Sequence, residues 1–425
     1  MKYIATIIGF CLFAGTLYTQ VNFDDYFIPK TLRVDYILAG DAIHTGVYLS
    51  QMKQEPFWGG SRKNLIDPFG YGEFEIRVKD LETEKLIYSR GFCTLFQEWQ
   101  TTAEAKNLSR AFYQTTTVPF PKHPVSFELY KRNKEGVFDS VFKLEIDPED
   151  YFIVRENPKF CKVTKIVDSG DPSVNVDIAF IAEGYKNEEM DKFREDVKRV
   201  SEYLLNTSPF DQYRNKFNIW AVGSVSEDSG PDIPGEGIYN NTVVNSGYFT
   251  FDVARYLTTY DVKSIRDIAA NVPYDQIYLL INSPRYGGGG IFNHYTACTS
   301  DHELTPEVLT HEFGHGFAGL GDEYYSSSVA YEDFYTLDRE PWEPNLTTLK
   351  GFDSKWKDMI EKNVPVPTPP DSVYFDEVGV FEGGGYAAKG VYRPFYNCRM
   401  KSNVAPGFCP VCQRAIKQMI EFYIK

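Results

Sequence analysis

One stretch in the C-terminal half, HEFGHGFAGLGDEYY (residues 311–325), constrains the fold and the chemistry of this chain most strongly. His311 and His315 are four positions apart, so on a helix both imidazoles project from one face, one turn apart. At that spacing two ring nitrogens can bind one metal ion at about 2.0–2.1 Å each. Glu312 follows His311 directly, which places its carboxylate over the open side of the ion rather than among its ligands. The stretch therefore predicts a helix that carries two metal ligands and a general base.

His-Glu-x-x-His also arises by chance, so the residues that follow the helix matter. In zinc peptidases of the metzincin type the pattern continues as H-E-x-x-H-x-x-G-x-x-H, where a glycine ends the helix and a third ligand follows the turn. Here Gly319 and Asp322 occupy those two places, each one position later. Glycine readily adopts the positive φ that a turn out of a helix requires. We predict Asp322 as the third ligand, with its neighbour Glu323 as the alternative.

A competing plan takes a glutamate ligand from a separate downstream helix. Glu332 and Glu340 are the candidates, but neither lies in a convincing helical pattern. The metzincin plan also needs a methionine turn beneath the ion. The segment YRPFYNCRM supplies Met400 about eighty residues after the helix, in a chain with only 6 Met. Methionine is a soft, adaptable filler, so its placement here favours the metzincin plan.

Three segments together resemble the IgA peptidase family of bacterial metallopeptidases: HEFGHGFAGLGDEY, GVFEGGGYAAKGVYRP and CRM. The resemblance covers most of the chain, since that family also joins an N-terminal β domain to its catalytic domain. It implies a zinc endopeptidase with one zinc ion per catalytic domain. By position it implies the ligands His311, His315 and Asp322, the general base Glu312, and the methionine turn at Met400.

The chemistry expected of such a site is hydrolysis of a peptide bond. A zinc ion with three protein ligands keeps a fourth position for water and lowers the pKa of that water to about 7. Glu312 would take the proton as water attacks the scissile carbonyl and then pass it to the leaving amine. An anionic third ligand makes zinc a weaker Lewis acid, so an extra donor to the oxyanion is expected. The candidates are Tyr324, Tyr386 and Tyr396, although packing alone would also explain each of them.

The hydrophobic pattern predicts an α+β fold of two domains. Residues 21–157 contain short alternating segments separated by turn signals, such as TLRVDYILAG and VSFELYKR, which predict a β-sandwich. Residues 158–425 begin with apolar strands that alternate with helices, which predicts a metzincin-like α/β zinc peptidase domain. The helical segments include NEEMDKFREDVKRVSEYLLN and VARYLTTYDVKSIRDIAANV. The glycine run 287–290 has neither a phosphate-loop ending nor a Rossmann spacing, so we expect a flexible hairpin and no nucleotide.

The first twenty residues predict a signal peptide. MKYIATIIGFCLFAGTLYTQ has one basic residue followed by an uncharged run, and we expect cleavage between Gly15 and Gln20. The apolar run is a little short for a membrane anchor, and no later segment is long and apolar enough to span a bilayer. We expect an exported protein that is periplasmic, at the cell surface or secreted.

Export places the cysteines where disulfides can form. Three of them lie within CRMKSNVAPGFCPVC. A Cys-x-x-Cys pair can be a redox pair or half of a zinc knuckle, but no second pair and no nearby histidine accompanies it. We predict a disulfide from Cys398 to Cys409 or Cys412, which would hold the methionine turn against the C-terminal helix. Buried free thiols are the alternative.

The formal net charge of -15 argues against nucleic acid or an anionic membrane surface as the main partner. The partner we expect is a protein or glycoprotein substrate. Two other functions remain open. One is a non-catalytic surface protein that binds glycans or proteins through its β domain and keeps a vestigial metalloprotease fold. The other is a zinc amidase or deacetylase acting on cell wall or sugar, which would share the metal but not the methionine turn.

Overall fold

The computed structural model describes residues 20–325 and 334–425. Residues 1–19 of the predicted signal peptide and the alternative ligand Glu332 lie outside the described residues. The strands of the described ranges are β1 (Phe27–Gly40), β2 (Thr45–Glu55), β3 (Phe74–Asp80), β4 (Leu86–Phe92), β5 (Arg110–Pro121), β6 (Val125–Arg132), β7 (Phe138–Ile146), β8 (Ile153–Val154), β9 (Lys162–Val167), β10 (Val176–Glu183), β11 (Phe217–Gly223), β12 (Gln276–Ile281), β13 (Gly288–Ile291), β14 (Tyr295–Thr299), β15 (Phe381–Gly384) and β16 (Ala387–Arg393). The α-helices are α1 (Phe23–Tyr26), α2 (Leu95–Trp99), α3 (Met190–Leu205), α4 (Val262–Ala269), α5 (Thr305–Ala318) and α6 (Pro410–Ile424).

The N-terminal half forms two four-stranded sheets, in the orders β5-β1-β2-β8 and β4-β3-β6-β7. Strand β3 shows why the sequence pattern works here, because Phe74, Ile76 and Val78 are buried while the residues between them are half-buried. The predicted segments correspond to β1, β3, β4, β6 and β7. The pattern does not predict β5, because its buried residues include the polar run Gln114–Thr116.

The C-terminal half is built on a six-stranded mixed sheet of order β13-β14-β12-β10-β11-β9. The four inner strands run parallel, and the edge strands β13 and β9 are antiparallel to their neighbours. Every residue of β10 and β12 is buried, as expected of inner parallel strands covered on both faces. Helix α5 packs against β13, β14, α3 and α6, so the sheet and two helices hold it in place.

The helix predicted over residues 253–272 is present only as α4 (Val262–Ala269). Asp261 caps this helix by accepting a hydrogen bond from the Ser264 amide at 3.0 Å. The residues before it are held in non-helical backbone, where the Thr258 hydroxyl bonds to that of Thr250 at 2.6 Å. Side-chain hydrogen bonds of such β-branched residues compete with the backbone hydrogen bonds of a helix. The helix prediction was therefore wrong for the residues before Asp261.

The two halves pack closely on each other, and their buried apolar side chains form one continuous cluster. A buried ion-pair network joins them. The Arg33 guanidinium on β1 donates to Asp35 at 2.8 Å and to Asp267 on α4 at 2.9 Å. Tyr274 donates to Glu55 on β2 at 2.9 Å. In the described part of the chain, none of the helices has the length and apolar character to cross a membrane.

Candidate metal centre

Helix α5 places both histidines on the face that looks into a cavity. It runs from Thr305 to Ala318 and ends at Gly319, whose φ of 64° is left-handed. The Gly319 amide donates back to the carbonyl of His315 at 3.1 Å, which closes the last turn. The predicted helix and its glycine stop are therefore confirmed.

Three donor atoms converge at the end of this helix. The Nε2 atoms of His311 and His315 lie 3.0 Å apart. Asp322 Oδ1 lies 3.2 Å from the first of them and 3.3 Å from the second. Ligands that bind one zinc ion tetrahedrally at about 2.0–2.1 Å lie about 3.4 Å from one another. The side chains of His311, Glu312 and His315 also bring ligand atoms within 4.8 Å of one another, as a metal site would require.

Backbone carbonyls fix which histidine nitrogen faces this point. His311 Nδ1 lies 3.0 Å from the Arg399 carbonyl, and His315 Nδ1 bonds to the Leu320 carbonyl. A carbonyl can only accept, so each Nδ1 carries a proton and each Nε2 of a neutral ring presents a lone pair. Two lone pairs and a buried carboxylate oxygen facing one another at 3.0–3.3 Å repel unless a metal ion or an added proton lies among them. The donor set fits a metal ion.

The electrostatics of the site also favour positive charge there. Burial would lower the pKa of His315, but the Asp322 carboxylate raises it to about 9. Burial would raise the pKa of Asp322, yet His315 and His311 hold it well below its usual range. Burial raises the pKa of the Glu312 carboxyl, against the lowering effect of the two histidines.

Asp322 and Glu323 point to different places, and only Asp322 lies beside the two histidines. Asp322 joins the histidines, and its Oδ2 accepts a hydrogen bond from the Tyr386 hydroxyl at 2.5 Å. Glu323 is turned away from them, towards Asn345 and Cys412. Glu340 is also elsewhere, where it accepts from the amide of Gly351 at 3.1 Å. The geometry therefore groups Asp322, and neither of those two glutamates, with the histidines.

The methionine lies directly under the helix, as the sequence predicts. Met400 is fully buried, and a Cβ added to Gly314 would lie 2.9 Å from its sulfur. The Glu323 amide donates to the Met400 carbonyl at 2.9 Å, which ties the third-ligand loop to this segment. A glycine in the middle of α5 weakens the helix as such, but here it lets Met400 approach the helix backbone.

The glycine run forms a wall of the site. Gly288–Ile291 is the edge strand β13, antiparallel to β14, so the predicted hairpin is present. A Cβ on Gly290 would lie 2.3 Å from the Glu312 carbonyl oxygen, and one on Gly288 would lie 2.9 Å from Glu312 Cγ. Only residues without a side chain allow this strand so close to α5. The glycines therefore serve close packing against the helix.

A cavity of about 140 Å³ surrounds the three donor atoms. A cleft of about 1050 Å³ beside it shares several lining residues with the cavity, among them Gln97 and Trp342. Both halves of the chain line the cavity, because Gln97 and Glu98 come from α2. Residues from both halves of the chain therefore form the cavity and the cleft.

The comparison with known families adds an independent observation to this geometry. The family model described as IgA Peptidase M64 matches residues 164–377 and 370–420, and the model of the Peptidase M64 N-terminus matches residues 22–143. This chain belongs to the IgA peptidase M64 family. The resemblance seen in the sequence is confirmed, and the two-domain layout agrees with the two matches. No curated protein matches the chain.

In this M64 peptidase the three candidate tyrosines do not share one location. Tyr324 and Tyr386 line the cavity, whereas the ring of Tyr396 stacks on Phe375 at 3.5 Å between centroids, outside the cavity. The sequence analysis missed Arg255, which also lines the cavity and donates to the Tyr324 hydroxyl at 3.3 Å. A single arginine far from the motif along the chain carries no spacing signal that could have found it.

The predicted disulfide is not formed in this M64 peptidase. Cys398, Cys409 and Cys412 are buried free thiols, with the sulfurs of Cys398 and Cys412 3.7 Å apart. A disulfide needs about 2.05 Å between the sulfurs. The sequence correctly groups these three cysteines, but a fourth polar side chain, that of Glu323, lies among them. A loop brings that residue in from the far side, so cysteine spacing could not show it.

Proposed function

We propose that this M64 peptidase is an exported zinc-dependent endopeptidase in which Glu312 is the general base. The family gives the peptidase activity, and a peptidase acts on a protein substrate. The observation that carries the finer proposal is the convergence of two imidazole nitrogens and one carboxylate oxygen within 3.0–3.3 Å of one another.

Zinc is the metal that this donor set suits best. Two neutral imidazoles and one carboxylate on a helix–turn unit are ligands typical of catalytic zinc, which keeps one position open. The helix, the glycine stop, the third ligand and the methionine beneath them also support a metzincin-like catalytic domain. We therefore assign His311, His315 and Asp322 as ligands and Met400 as the residue of the methionine turn.

When bound, zinc supplies a Lewis acid that activates water and polarises the scissile carbonyl. Glu312 takes the proton of the attacking water, holds it on the carboxylate, and delivers it to the leaving amine. Glycine at 288 leaves room for this carboxylate, because a Cβ there would lie 3.0 Å from Glu312 Oε1.

The structure separates the roles of the two tyrosines in the cavity. Tyr386 donates to Asp322, so we propose that it orients the third ligand. Tyr324 and Arg255 lie together on the cavity wall, and we propose that this pair supplies hydrogen-bond donors to the developing oxyanion. Tyr396 has no part in either role.

The size of the neighbouring cleft supports a polymer as substrate. About 1050 Å³ of open space next to the cavity exceeds what a single small amide or acetyl group would need. A zinc amidase or deacetylase acting on cell wall or sugar would lack the methionine turn, and the position of Met400 beneath α5 favours an endopeptidase over it. The vestigial-fold alternative would require a missing ligand or base, and His311, Glu312, His315 and Asp322 are all present.

The test is cleavage-site profiling of a protein mixture by the wild-type chain and the Glu312→Ala variant. We expect Glu312→Ala to lose hydrolysis by a factor of about 10²–10⁴, because general-base help alone contributes that much. Zinc content should stay unchanged, because Glu312 is not a ligand. Glu195→Ala serves as the control, since the Glu195 side chain is 77% exposed on α3 and lines neither the cavity nor the cleft. A folded Glu312→Ala protein that has lost its zinc would show that the assigned role is wrong.

A further inference from the structure

A second cluster of metal-ligating side chains lies behind the third-ligand loop. Glu323, Cys398, Cys409 and Cys412 bring their ligand atoms within 4.8 Å of one another. All four are buried, and Glu323, Cys398 and Cys412 are 0% exposed. We call these four residues the cysteine–glutamate cluster. The mechanism proposed above uses none of them.

The distances within the cluster suit tetrahedral coordination. The sulfurs of Cys398 and Cys412 lie 3.7 Å apart, and two thiolates bound tetrahedrally to zinc at about 2.3 Å lie about 3.8 Å apart. Glu323 Oε1 lies 3.3 Å from Cys412 Sγ, close to the about 3.5 Å expected between a carboxylate oxygen and a thiolate on one zinc ion. Two of the donor–donor distances thus match those between ligands of one tetrahedral zinc ion, and all four donors lie within 4.8 Å of one another.

Backbone amides point at two of the three sulfurs. Cys409 is the N-cap of α6, a helix of 15 residues, and its sulfur accepts from the Cys412 amide at 3.5 Å. The Cys398 sulfur accepts from the Cys409 amide at 3.2 Å. Backbone amides at a helix N-terminus favour a thiolate over a thiol.

Glu323 supplies an independent sign that a cation belongs here. Its Oε1 accepts from Asn345 at 2.9 Å, but its fully buried Oε2 has no hydrogen-bond partner among the described residues. A buried carboxylate oxygen without a partner is costly, and protein interiors rarely tolerate one. A disulfide between two of the three sulfurs would leave this oxygen and the third thiol as they are. A metal ion bound to the carboxylate and the three sulfurs would offset the negative charge of this buried group.

We propose that Glu323, Cys398, Cys409 and Cys412 bind a second zinc ion with a structural role. Binding releases the thiol protons to solvent, because the thiolate is the ligand. Four protein ligands leave no open position, which is the arrangement of structural zinc sites. The ion would join three segments: the loop of Asp322, the turn of Met400, and the start of α6. It would therefore hold the third catalytic ligand in place from behind.

The first experiment counts zinc per full-length chain by elemental analysis. We expect two equivalents in the wild type, one in His311→Ala/His315→Ala, and one in Cys409→Ser/Cys412→Ser. Cys161→Ser is the matched control, because Cys161 is a free thiol distant from the cluster, and it should keep two equivalents. One equivalent in the wild type that disappears in the histidine variant would overturn the second site. It would leave the catalytic site intact, so the two proposals fail separately.

A second measurement needs no cysteine variant to fold. The histidine double variant is loaded with Co²⁺, and thiolate-to-cobalt charge-transfer absorption in the near ultraviolet is recorded. We expect that absorption, together with three thiols protected from alkylation until a chelator is added. Absent absorption would overturn the proposal, as would an intact chain two hydrogens lighter that shows the Cys398 disulfide to Cys409 or Cys412.

Discussion

At the scale of single residues, the adjacent carboxylates of Asp322 and Glu323 face different groups of side chains. Asp322 faces His311 and His315, while Glu323 faces three sulfurs. These two successive side chains point to different groups, so one short loop can serve two groups of ligands. The order of Asp322 and Glu323 along the chain therefore matters more than the number of acidic residues in the loop.

We expect Asp322→Ala to weaken binding of the catalytic metal sharply, because two imidazoles alone hold an ion loosely. Asp322→His should retain metal better than Asp322→Ala if the turn accommodates the longer side chain. Chelator competition and melting temperature, measured on both variants and on Glu340→Ala, give the comparison. If Asp322 only capped the turn, Asp322→Ala would cost about 1 kcal/mol of stability and leave the metal content unchanged.

The hydroxyl of Tyr386 gives a second prediction at this scale. Tyr386→Phe removes the hydrogen bond that orients Asp322, so we expect metal affinity to fall about 10–100-fold while the fold is kept. Tyr396→Phe is the control, since that ring stacks on Phe375 outside the cavity. Equal metal affinity in both variants, measured by chelator competition, would remove Tyr386 from the metal centre.

At the scale of elements, the sequence predicted the helices and strands that depend on local residue patterns. Helix α5 follows from the histidine spacing, its end follows from Gly319, and the strands β10 and β12 follow from apolar runs. The elements that it missed depend on tertiary contacts. Strand β5 presents Thr115 to Arg266 of α4, a contact at 3.1 Å that no local pattern encodes.

The same limit applies to the site. Two histidines, the base and the third ligand lie within twelve residues, so spacing alone could group them. Arg255 and Glu98 reach the cavity from distant elements, and the approach of β13 to α5 depends on the sheet order. Only the three-dimensional arrangement of the strands and helices shows these features.

The packing of β13 on α5 gives a prediction for an element. Gly290→Ala places a methyl group 2.3 Å from the Glu312 carbonyl oxygen and 2.9 Å from His315 Cβ, so the strand or the helix must move. We expect a loss of stability of about 1–3 kcal/mol and a fall in hydrolysis larger than that loss explains. Urea unfolding and activity assays measure the two effects.

Gly407→Ala is the matched control, because a Cβ at that position meets nothing within 4 Å. We expect it to keep wild-type stability and activity. If Gly290→Ala behaved like Gly407→Ala in both assays, β13 would not be held against the catalytic helix in solution.

At the scale of the whole molecule, the two halves work as one unit. The Cys93 amide after β4 donates to the Phe292 carbonyl beside β13 at 2.9 Å, and Trp342 donates to Glu73 at 2.9 Å. Residues from α2 line the cavity. The N-terminal half therefore shapes the catalytic cavity, so removing it should disturb the site as well as the substrate cleft.

The ion pairs between the halves give a prediction about pH. Burial would raise the pKa of Asp267, but Lys263, Arg33 and Lys53 hold it at about 2. A carboxyl whose pKa is lower in the folded state contributes stability above its unfolded pKa of about 4 and loses that contribution as pH falls towards 2. Asp267→Asn should therefore lower the free energy of unfolding by about 1–2 kcal/mol at pH 6, after allowance for the partial exposure of Asp267.

The gap between wild type and Asp267→Asn should shrink as pH falls from 4 to 2, because the wild-type carboxyl becomes neutral there as well. Urea unfolding at a series of pH values measures the gap. Asp353→Asn is the control: Asp353 pairs with Lys357 on the surface at 2.5 Å, and exposed pairs contribute less than about 1 kcal/mol. A gap that stayed constant down to pH 2 would show that Asp267 acts through packing or hydrogen-bond geometry, and that its charge does not hold the two halves together.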